Sequence, residues 1–123
     1  MANDFKRFAK AGVSNNTGAS ADALYSVPAG SGSSALESIV IGISLANTST
    51  STDTTVSVFL DNHDGTNDVH VVKTVSLPAS TQIELMTGNK LVLQNTGSAG
   101  DVLRVFAANA SIVDCTVSVL EDV

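Results

Sequence analysis

Short runs of alternating apolar and polar residues, separated by turns rich in Gly, Asn and Ser, constrain this chain more than any other feature. From Ser38 to Asn47, Ile39, Ile41, Ile43 and Leu45 fall on one side and Val40, Gly42, Ser44 and Ala46 on the other. This period of two belongs to a β-strand with one buried face. Cys115, Val117 and Val119 alternate with Thr116 and Ser118 in the same way, and Leu103, Val105 and Ala107 alternate with Arg104, although Val102 and Phe106 make the second face partly apolar too. No window collects Ala, Leu, Glu, Lys, Gln and Arg at helical spacing, so almost no helix is expected.

Between these runs the chain marks its own turns. Val56, Val58 and Leu60 resume the alternation after the Ser/Thr-rich stretch 48–55, with Phe59 on the opposite face. The segment Asp61 to Asp68 reads as a long hairpin tip. Val69, Val71, Val75 and Leu77 then share a face that Lys73 interrupts, which suits a strand near a sheet edge, and Pro78 ends it. Ile83 and Leu85, the turn Thr87-Gly88-Asn89 and the run 90–94 suggest another hairpin. Upstream, Phe5 to Val13 and Leu24 to Val27 supply two weaker strands, and the end at Glu121 and Asp122 reads as solvated. About eight short strands at this spacing predict an all-β, antiparallel β-sandwich of immunoglobulin-like or jelly-roll type. A single domain of 123 residues accommodates it, with residues 1–13 as an N-terminal arm or first strand and 14–123 as the body.

Charge narrows the partners. The net charge is −6, which argues against nucleic acid, yet three of the six basic residues, Lys6, Arg7 and Lys10, lie in the first ten positions. Together with Phe5 and Phe8 they form a basic, aromatic segment suited to docking on an acidic neighbouring subunit; the plainer reading is a solvated terminus. No apolar run reaches the roughly 18 residues of a membrane span, and no signal peptide is evident. The triplets at Asn15, Asn47 and Asn109 match the glycosylation sequon by composition alone in a Ser/Thr/Asn-rich chain.

Chemistry-bearing residues are sparse. The lone Cys115 sits in an alternating run and is expected in the core. Asp61, Asp64, Asn67 and Asp68 could offer oxygens to a calcium ion, but His63, Gly65 and Thr66 occupy the third, fifth and sixth positions from Asp61, which is not the EF-hand order; a solvated tip turning at Asp64-Gly65 is the alternative. His63 falls in this loop and His70 on an outward strand face, without further ligands for zinc. Tyr25 reads as a sandwich-edge residue. No glycine motif cradles a phosphate. No cofactor and no catalytic residue is therefore expected, and a hydrolase would require carboxylates converging in a deep cleft.

The opening Met1-Ala2-Asn3-Asp4-Phe5-Lys6-Arg7-Phe8, the Gly12-Val13 pair, Leu24-Tyr25-Ser26-Val27-Pro28 and the closing Val117-Ser118-Val119-Leu120-Glu121 resemble small virion structural proteins of tailed bacteriophages, particularly those of cyanobacteria and other marine bacteria. The resemblance implies a non-enzymatic, multi-copy subunit made in the host cytoplasm and carried in the virion. It would decorate or cement the capsid, or sit in the neck, tail or fibre-attachment region. Its partners would be other virion proteins and copies of itself, a trimer by analogy, through Phe5, Lys6, Arg7, Phe8 and Lys10. The rival from another class is a carbohydrate- or receptor-binding sandwich module using the 61–68 loop.

Overall fold

The computed structural model describes residues 3–63, 68–85 and 90–122. Among these residues nine strands form two antiparallel sheets: β1 (Asn3–Lys10), β2 (Asp22–Ser26), β3 (Leu36–Asn47), β4 (Thr54–Asp61), β5 (Val69–Leu77), β6 (Gln82–Glu84), β7 (Leu91–Asn95), β8 (Val102–Ala107) and β9 (Val113–Asp122). The only helical pieces among the described residues are two single 3₁₀ turns, Gly18–Ser20 and Ser31–Ser33. The expected all-β sandwich is what the chain forms.

One sheet runs β1-β9-β3, with β6 and β7 both paired to β3; the other runs β2-β8-β4-β5. The pairing is nested. β4 pairs β5, β3 pairs β6 and β7, β2 pairs β8 and β1 pairs β9. The chain is thus one long hairpin, with its tip between β4 and β5, rolled into two layers. Counting β6 and β7 as one interrupted strand leaves eight positions in the orders 1-8-3-6 and 2-7-4-5, the two-sheet plan of a jelly roll. An immunoglobulin-like domain would keep its first two strands in one sheet; here β1 and β2 lie in different ones.

The core lies between the sheets. Val40, Ile43 and Leu45 of β3 and Cys115, Val117 and Val119 of β9 meet Val56 and Val58 of β4 and Leu103, Val105 and Ala107 of β8. Fully burying a side chain such as Leu45 or Leu103 contributes roughly 2 kcal/mol. Phe59 is also buried, but on the outer face of its sheet, where its ring meets His70 at 5.4 Å and Phe106 at 6.1 Å.

The structure corrects three details of the strand reading. In β3 the ladder to β9 slips between Val40 and Gly42, so Leu36, Ser38 and Val40 face the core before the slip and Ile43 and Leu45 after it. Ile39 is only half-buried and Ile41 is exposed, because a bulge inverts which parity points inward. In β5 the ladder to β4 slips on both sides of Val58: Lys73 and Thr74, the latter at φ 51°, are accommodated at one slip and Val71 at the other, so Val72 instead of Val71 shares a face with Val69 and Val75, and β5 is indeed an edge strand. Segments 82–84 and 91–95, expected as a hairpin, are two successive pieces along β3, at Ser44–Ala46 and Leu36–Val40.

Cys115 is buried, as expected, and burial pushes its thiol from 9.0 up to about 12. The protonated thiol is the form the fold favours. Its contribution is therefore complete below pH 9 and lost as the pH rises from 9 towards 12. Native protein at pH 8 should leave this thiol unreacted toward an aromatic disulfide reagent, and denatured protein should react within the mixing time. Prompt native reaction would contradict the burial.

Candidate functional site

The regular ladder of β1 to β9 divides the five predicted contact residues between two faces. Phe5 stands opposite Leu120 and Arg7 opposite Ser118 on the outer face of the five-stranded sheet. Lys6, Phe8 and Lys10 stand opposite Val119, Val117 and Cys115, on the side that faces the second sheet. The segment is a full edge strand, and Lys6 and Lys10 are inward-pointing charges of the kind that blunt a sheet edge against further pairing.

On the outer face the register assembles a row that no single strand displays. Phe5 lies opposite Leu120, Leu120 opposite Ile39, and Ile39 opposite Val92. The row crosses β1, β9, β3 and β7, about 14 Å at the usual strand spacing. Phe5 is 78% exposed, Val92 53% and the bulged Ile41 39%. Leu120 and Ile39 are half-buried between them. A contiguous apolar band on a sheet exterior marks a contact surface, whereas isolated exposed side chains do not. Below the band the same face turns polar, and Gly42, Ser44, Glu84, Thr116 and Ser118 line a shallow depression of about 210 Å³.

The inner side of β1 is tied to a buried polar cluster. Phe8 packs on Tyr25 with ring centroids 4.9 Å apart. The Tyr25 hydroxyl donates to Glu121 Oε2 at 2.8 Å and lies 2.7 Å from Ser38 Oγ, whose hydroxyl is left to donate to it. Lys6 Nζ reaches Glu121 Oε1 at 3.1 Å as an ion pair, without the alignment of a hydrogen bond. Glu121, expected in solvent, is only 2% exposed, and Tyr25 lies on an edge strand with its ring buried. Burial drives the Tyr25 phenol well above its ordinary range; the Ser38 bond opposes this, and the Glu121 carboxylate adds to it.

At one end of the sandwich a second polar knot forms around Asp101. Its Oδ1 accepts from the His63 backbone N–H at 2.8 Å and faces His63 Nδ1 at 2.7 Å, while Oδ2 accepts from the Gln94 N–H at 2.9 Å. A carboxylate on Nδ1 fixes the ring's orientation. Of the residues considered for calcium, Asp61 is engaged by Arg104 Nε at 2.9 Å, and Asp68 is exposed. Asp64 and Asn67 lie outside the described residues. Among the described residues no group of three or more His, Cys, Asp or Glu side chains is placed to hold a metal. Asn47, one of the three sequons, is buried with its amide nitrogen donating to Thr52 and Leu77 carbonyls, so it is a structural residue of the fold.

No protein-family model matches the chain, and no curated protein matches it. Among solved structures it is similar to a chain of infectious bursal disease virus, Gx strain, at 16% identity and a TM-score of 0.44, over 97% of this chain and 28% of that one. A chain of the Gt strain aligns at 13% identity and a TM-score of 0.40, over 96% of this chain and 30% of that one. This chain therefore spans less than a third of either.

Proposed function

We propose that this chain is a non-enzymatic structural subunit of a virion, of the decoration or cement type in a tailed bacteriophage, which works through protein contacts. The observation that carries the reading is the apolar band Phe5-Leu120-Ile39-Val92, displayed on the exterior of a jelly roll. Viral capsid and lectin domains both use this architecture, so the plan alone does not choose between them. A lectin would need convergent polar groups, whereas a flat apolar band suits a protein neighbour. The resemblance of both chain termini to small phage virion proteins points the same way.

In this reading copies of the chain pack through the band into a closed homo-oligomer, a trimer by analogy with capsid-surface proteins. Arg7, beside Phe5 on the same face, supplies a polar rim. Phe5→Asp combined with Val92→Asp tests it. Both side chains are more than half exposed, so the stability change should stay within about 1 kcal/mol. Sedimentation equilibrium should show a defined oligomer for the natural chain and a monomer for the variant, with matching circular dichroism. A chain that is monomeric at high micromolar concentration, or an oligomer indifferent to both substitutions, would reject the proposal.

A further inference from the structure

The exterior of the five-stranded sheet carries opposite charges at its two ends. Arg7 stands on β1 at one edge, opposite Ser118, and Glu84 on β6 at the other, opposite Ser44. Three strand spacings, about 14 Å, separate the two columns, which is further than an arginine side chain reaches. Both side chains are exposed, and neither enters an ion pair among the described residues. Arg7 is also the only cation that the ladders of the described residues place on this face. One chain therefore displays two complementary charges that it cannot bring together itself.

Between them lies the polar depression of about 210 Å³. Gly42 gives it room, since no neighbouring atom lies within 4 Å of the place a Cβ would take there. Its other lining groups, the hydroxyls of Ser44, Thr116 and Ser118 and the Glu84 carboxylate, can all accept hydrogen bonds. A planar guanidinium with five donors is the side-chain group that such a set of acceptors suits best.

The order of groups is the same at both ends of the face. Phe5 and Val92 close the two ends of the apolar band, and Arg7 and Glu84 lie on one side of it, in the rows through Ser118 to Gly42 and through Ser44 to Thr116. Glu37, opposite Gln94, lies on the far side of the band. A second copy that sets its Val92 end against Phe5, with its strands in the same sense, brings its Glu84 to the side where Arg7 stands.

We infer that Arg7 of one copy enters the Gly42 depression of the next and pairs with Glu84 there, so that this ion pair fixes which end of the band meets which. The inference rests on the reading that copies meet through the band, and it names the residues that set their register. The match is made once for each contact between two copies, so it serves a two-fold pair and a ring alike. An exposed pair adds little affinity by itself, whereas like charges in its place repel and select against the contact.

Charge reversal tests it by sedimentation equilibrium. Arg7→Glu and Glu84→Arg should each weaken association about tenfold, and the two combined should restore it to near that of the natural chain. Arg7→Glu combined with Glu37→Arg should not restore it. All three positions are exposed, so circular dichroism and melting should match throughout. An oligomer that dissociates with Phe5→Asp and Val92→Asp but ignores both reversals, losses that merely add in the double reversal, or rescue by Glu37→Arg would each overturn this inference and leave the band as the contact. A natural chain that stays monomeric would overturn both.

Discussion

Replacing Asp101 by alanine is expected to remove about 4 kcal/mol of stability, a large share of the 5–15 kcal/mol typical of a domain. The carboxylate is almost fully buried and accepts from three donors on two different segments. Hydrogen bonds to a charged acceptor contribute about 1.5–3 kcal/mol each, although the partly exposed His63 ring can turn to water and recover some of its share. The backbone of Asp101 is engaged too: its N–H donates to the Gln94 carbonyl and its own carbonyl accepts from Val27. The side chain therefore closes a junction where the ends of β2, β4, β7 and β8 come together. Asp101→Asn should cost about half as much, because whichever way the amide turns, its NH₂ faces a backbone or ring donor. His63→Ala should cost about 1 kcal/mol, since the His63 backbone N–H still reaches the carboxylate. Urea unfolding of the three variants gives the order directly. An alanine variant within 1 kcal/mol of the natural chain would contradict the role assigned to Asp101.

The strands that were legible in the sequence are those whose two faces differ in polarity. Thr116 and Ser118 between Cys115, Val117 and Val119 leave only one way to place the segment against a core, and β9 follows it. Ile39-Val40-Ile41 is apolar at every position, so alternation cannot reveal which parity faces inward, and the bulge before Gly42 was invisible. Around 87–89 the turn residues mark a reversal or an interruption equally well. That β6 and β7 share β3 as partner, instead of each other, depends on contacts some 40 to 60 residues away. The contact surface was half legible for the same reason. Alternation separates Phe5 and Arg7 from Lys6 and Phe8, but the row through Leu120, Ile39 and Val92 exists only once the registers of three ladders are set. Glu121 looked solvated because terminal acidic residues usually are. Its burial follows from Tyr25, 96 residues earlier in the chain.

That distant pair carries the second large effect. Tyr25→Phe takes away one hydroxyl and leaves two buried groups short: Glu121 Oε2 loses its donor, and Ser38 loses its acceptor. Lys6 still faces Oε1, but its side chain is 46% exposed and the pair is screened by water on that side, so it offsets little. The expected loss is about 3 kcal/mol, chiefly from the carboxylate. Glu121→Leu alone should cost less, because the two hydroxyls still satisfy each other and Lys6 returns to solvent. Combining Tyr25→Phe with Glu121→Leu should then recover stability relative to Tyr25→Phe, since the charge that lacked a partner is gone. The alkaline limb supplies an independent reading. The folded state raises the phenol above its ordinary 10.0, mainly by burial, so the neutral form contributes fully below pH 10 and its contribution fades as the pH climbs beyond that. Tyr25→Phe should flatten the fall in stability above pH 10, leaving the part that belongs to Cys115. A phenylalanine variant with undiminished stability and an unchanged alkaline limb would show that the hydroxyl is not the keystone of this cluster.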